Sequence, residues 1–143
     1  VGWVLIVGIV TGTVAHLVRG RAQRRAAVRR ARDTARAARL LAGLLGSGQL
    51  PVSALAEAAE ESPALRGAAM AARLGADVPA ALRAAARSPG QEGLATIAAA
   101  WQVSARSGAP IADVLAGVAE ALRAEERLQS SIDAGLAAAR SSG

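Results

Sequence analysis

The 143 residues include no cysteine, lysine, phenylalanine or tyrosine, and histidine and methionine occur once each. Without cysteine there is no disulfide, thiol nucleophile or cysteine metal site. Without lysine there is no Schiff base and no Walker-type phosphate loop. The lone histidine, His16, cannot build a multi-histidine metal centre and reads as an interfacial residue. Asp113, Glu125 and Glu126 are the carboxylates one would try as acid–base groups, but no nucleophile or metal partner accompanies them. Carboxylates along a helix are usually surface residues. Catalytic residues, cofactors and metals are therefore expected to be none, and the chain reads as a non-enzyme. The two tryptophans, Trp3 and Trp101, are the only aromatics.

What is abundant is alanine, at 39 positions. It is the strongest helix former and is depleted from strands, so an all-β sandwich or barrel is excluded in favour of an all-α fold. The length fits one domain, or a small domain with an appendage.

The net charge of +6 is unevenly spread. Residues 1–18, VGWVLIVGIVTGTVAHLV, carry no formal charge. Residues 19–39 hold nine arginines and one aspartate, a local +8; residues 40–143 hold eight arginines and ten acids, a local −2. An 18-residue helix rises about 27 Å, close to the roughly 30 Å of a bilayer's hydrocarbon core. The first segment is expected to be a transmembrane helix, truncated at its start if it begins before residue 1; a β-strand pair is the soluble alternative, but no second strand-like run exists to pair with it, and a buried core helix is the other. A signal peptide has its basic residues before the apolar run, whereas here they follow it.

Arg19, Arg21, Arg24, Arg25, Arg29, Arg30 and Arg32 follow the apolar stretch directly, and positive residues flanking a span stay on the cytoplasmic side. They are the expected membrane-proximal basic residues, attractive to anionic membrane lipid. Nucleic acid competes as a partner for so many arginines. No aromatics are interleaved to stack bases, and no nucleic acid is expected.

Glycine and proline divide the remainder into six coarse helical segments: 22–46, 51–61, 63–75, 78–88, 91–107 and 110–140. Ser62 before Pro63 fits an N-cap with a first-turn proline. Glu92 and Asp113 fall in first turns, where the helix dipole favours acids. Leu94, Ile97 and Trp101 fall on one helical face, as do Ile111, Leu115, Val118 and Leu122, with Ile132 and Leu136 resuming the second pattern. Val52 and Leu55 mark the packing side of the second segment. Trp101, the largest side chain available, is expected to fill the centre of the core. Short connections imply antiparallel neighbours. A loose repeat of glycine, short spacer, proline and leucine occurs at Gly48–Leu55, Gly75–Leu82 and Gly108–Leu115.

Three stretches carry a family resemblance: LLAGLLGSGQLPVSALAEAAEE at 40–61, RLGADVPAALRAAA at 73–86, and AAAWQVSARSGAPIADVLAGVAEALRAEER at 98–127. SGAPIADVL at 107–115 is the most specific. Over about 33–140 the chain resembles the type II secretion system F domain, nearest to the TadB/TadC-like branch of Flp-type pilus machines. The resemblance implies an antiparallel bundle of about six helices over 40–143, on the cytoplasmic side of the cell inner membrane. It follows the N-terminal transmembrane helix and a 19–39 juxtamembrane helix leading into it.

It also implies a non-catalytic platform, homo- or hetero-oligomeric. Its partners would be a secretion or pilus ATPase, other inner-membrane platform proteins and pilin-like subunits. The matching motif residues are Gly48, Leu50, Pro51, Leu55, Gly108, Pro110, Asp113 and Leu115, with structural roles. Arg123, Glu126 and Arg127 fall at the charged end of the motif, either facing a partner or forming a solvated face with i,i+4 pairing. Members of the family continue into further membrane helices, whereas this sequence ends at AAARSSG, so a truncated piece, a split gene or a short variant is expected.

Overall fold

The computed structural model describes the backbone of residues 2–141 and the side chains of 19–141. Six α-helices follow one another: α1 (Gly2–Gly46), α2 (Pro51–Glu61), α3 (Arg66–Arg73), α4 (Val78–Ala85), α5 (Gly93–Ser107) and α6 (Ile111–Ser141). A 3₁₀ turn at Pro63–Leu65 leads into α3. No strand occurs among the described residues, so the all-α expectation holds. Successive helices pack against each other through short turns, and α6 returns along α1 to close the ring.

The six expected segments match these helices, with one revision. The apolar stretch and the first bundle helix are not two elements, because α1 runs unbroken through 45 residues, about 67 Å of helix. The expected span at 1–18 lies outside the described side chains, as does the interfacial reading of His16. Among the described residues no helix is long and apolar enough to cross a membrane.

The core is built from Leu41, Leu55, Leu65, Leu82, Leu94, Ile97 and Leu115, all fully buried. Between them sit Ala38, Ala54, Ala58, Ala68, Ala98 and Ala119, whose short side chains let the helices approach closely. That spacing displaces Trp101. The indole is not the central filler the sequence suggested; it is half-buried, lying against the edge of a core too closely spaced to admit it. Ile132 and Leu136 also depart from expectation, at 48% and 52% exposed. Their spacing continues the α6 pattern, but the face they share is left uncovered toward the end of this 31-residue helix. Val52 is likewise exposed while Leu55 is buried.

The N-cap expectation also needs correction. Ser62 makes no side-chain cap, and its hydroxyl is buried without a hydrogen-bond partner. The Ser62 carbonyl instead accepts from the Leu65 N–H at 3.0 Å, closing the 3₁₀ turn. The side-chain cap is made by Asp77, whose Oδ1 accepts from the Ala80 N–H at 2.9 Å. Glu92 precedes α5 and its Oε1 accepts from the Gly90 N–H at 3.0 Å.

The turns that position α1 and α6 rest on two glycines. Gly108 ends α5 in the left-handed region at φ 70°, its N–H donating to the Ser104 carbonyl at 3.0 Å. A side chain at that φ is strained, so glycine is the natural stop. Gly90, at φ 86°, lies so close to the Ala27 backbone that an added Cβ would overlap the Ala27 carbonyl. Beside it the Arg30 guanidinium donates to the Pro89 carbonyl at 3.3 Å. The α4–α5 turn is thereby fastened to α1.

A basic face on α1 and α6

On α1 the buried positions 34, 38, 41 and 45 define the side that faces the bundle. At 100° per residue, Arg21, Arg25, Arg29, Arg32, Arg36 and Arg39 fall within about 80° of arc on the opposite side. They form one straight row about 27 Å long. Five of these guanidinium-bearing residues are exposed and Arg39 is half-buried. Of the membrane-proximal basic residues expected from sequence, Arg21, Arg25, Arg29 and Arg32 join this row. Arg19 and Arg24 are exposed but off it, and Arg30 is turned to the Pro89 turn.

Arg36 and Arg39 were not singled out by the sequence reading, which weighed the density of charge and not its phase. The 4-4-3-4-3 spacing was the signal that would have found them. Like charges three or four residues apart oppose helix formation by about 0.2–0.5 kcal/mol per pair. Five successive pairs along the row therefore cost about 1–2.5 kcal/mol, which the buried face of α1 must offset.

The row leads to the charged residues of α6. Arg39, Arg123, Glu126, Arg127, Ser130 and Ser131 line an open groove of ≈ 730 Å³. The three candidate partner-facing residues thus come together with Arg39. Arg123 pairs with Glu120 at 3.2 Å, the one ion pair among the described residues, although all seventeen arginines lie within them. A second groove, of ≈ 500 Å³, opens on the inner side between α1 and α6, with Val28, Ala31, Leu122, Glu125 and Asp133 among its lining residues.

The motif residues cluster away from this face. Gly48, with Leu50 and Pro51, forms the α1–α2 turn, where Pro51 is the first helical residue and Leu50 is 73% exposed. Gly108 and Pro110 form the α5–α6 turn, Asp113 is exposed in the first turn of α6, and Leu55 and Leu115 are fully buried. Leu55 and Leu115 pack the core, whereas Leu50 does not. No group of His, Cys, Asp and Glu among the described residues is arranged to hold a metal ion.

A family model for type II secretion system protein F matches residues 37–142. No curated protein and no solved structure matches the chain. The matched region runs from the buried part of α1 to the end of α6, covering the whole helical bundle. With most of its length accounted for by that model, the chain belongs to the type II secretion system protein F family.

Proposed function

We propose that this protein is a membrane-anchored platform subunit of a type II secretion or Tad/Flp-type pilus machine. Its family supplies inner-membrane platform proteins that are structural and not catalytic. In this reading residues 1–18 span the membrane and the bundle lies on the cytoplasmic side. The bundle contacts the assembly ATPase, pilin-like subunits and other platform proteins within a homo- or hetero-oligomer. The observation that carries the proposal is the match over 37–142, joined to the apolar N-terminal stretch by one unbroken helix. A rigid connection of that kind transmits force and position between a membrane segment and a cytoplasmic body. Arg19, Arg21, Arg24 and Arg25 follow the apolar stretch within two turns, where anionic headgroups attract them.

Fractionation of cells expressing the full chain tests this. The protein is expected in the membrane pellet, resistant to high salt and released by detergent. A cysteine introduced at Ser47, unique in a cysteine-free chain, should react with an impermeant maleimide in inverted vesicles and not in intact cells. Recovery of the full chain in the soluble fraction would refute the anchor, and labelling in intact cells would refute the orientation.

A further inference from the structure

We propose that the arginine row of α1, extended by Arg123 and Arg127 of α6, is the docking surface for an acidic helix of a partner protein. The inference rests on the platform reading and adds to it the chemistry of the partner. The row is straight, one-sided and about 27 Å long, so its complement is a helix bearing carboxylates at the same spacing of three and four residues. At its end, the ≈ 730 Å³ groove gathers Arg39, Arg123 and Arg127 around the single carboxylate of Glu126. That groove accepts further acidic side chains from the partner's end.

Two other polyanions fit less well. If residues 1–18 span the bilayer, the headgroup layer extends only about 5–7 Å beyond the hydrocarbon. Along the unbroken α1, Arg29 stands about 16 Å past residue 18 and Arg39 about 31 Å. Most of the row thus lies above the lipid and beyond a Debye length of about 8–10 Å. Duplex DNA is read by a helix backed by phosphate contacts from neighbouring elements of the fold. Here α1 is held on the bundle side through 34, 38, 41 and 45 and flanked by α6, so only the outer face is presented.

The test uses the full chain in its native membranes, with the photo-crosslinking residue benzoylphenylalanine replacing Arg29 in one variant and Arg36 in another. The expected product is a protein adduct whose cross-linked peptide is helical and carries Asp or Glu at three- and four-residue spacing. Adding Arg32→Glu and Arg39→Glu should reduce its yield about tenfold or more, as charge reversal does at steered interfaces. Arg66→Glu, away from the row, should leave the yield unchanged. Circular dichroism of the purified variants checks that the helices persist.

Adducts confined to phospholipid or nucleic acid, a partner peptide without acidic spacing, a second copy of this chain, a yield indifferent to charge reversal, or no adduct each overturn the proposal. An acidic, charge-dependent partner outside any secretion machine would uphold the docking surface and overturn the platform reading. The two failures are therefore separable.

Discussion

Between residues 34 and 45, α1 buries Thr34, Ala35, Ala37, Ala38, Leu41 and Leu45; between 19 and 33 it buries nothing. α6 divides in the same way, with Leu115 and Ala119 buried in its first half and no residue buried from 120 to 141. The backbone is equally helical throughout. The difference is one of company: α2 to α5 cover the inner halves of both helices, while the outer half of α1 is touched by the α4–α5 turn, at Ala27 and Arg30. A single helix can thus be core at one end and attachment surface at the other. In α1 the change is written in side chains, from alanine and leucine to arginine.

The largest way to break that comparison is a cavity in the sealed half. Leu41→Ala should lower stability by about 2–5 kcal/mol in urea unfolding. Leu136→Ala, the same deletion in the bare half, should fall within about 0.5 kcal/mol of the parent. Equal effects would mean that the outer half of α6 is packed after all.

Next comes the fastening between the halves. Gly90→Ala must push the α4–α5 turn off the Ala27 backbone and accept a strained φ. A loss of about 1–3 kcal/mol is expected in the same assay. Asp77→Ala removes the α4 cap and should cost about 1 kcal/mol. The smallest effect sharpens the comparison from the other side. Arg25→Gln removes two repulsive contacts in the row, with Arg21 and Arg29. It should stabilise α1 by about 0.5 kcal/mol, detectable as a slightly higher urea midpoint.

Most of the bundle was legible because its punctuation is unambiguous. Pro51 opens α2, Gly108 closes α5, and the Ile111–Leu115–Val118–Leu122 spacing gave the packing face of α6. What failed shares one cause: periodicity reports which residues share a face, not whether anything covers it. Ile132 and Leu136 kept the pattern on a stretch of α6 that is left exposed, and Trp101 kept it where alanine spacing left no room. Ser62 has the residue type and backbone of a cap, but a 3₁₀ turn follows it and the backbone closes that turn. The basic face was half legible. Its charge density was plain, whereas its confinement to one side of α1 emerged only once the buried side was known.

Hydrogen exchange along α1 and α6 of the detergent-solubilised full chain tests the division most directly. Amides of 35–45 and 113–121 should exchange only through global unfolding. Those of 127–141 should exchange through local fraying, about a hundredfold faster or more. Uniform protection from 111 to 141 would contradict the account, because the outer half of α6 would then be held by contacts that the two-part division denies it.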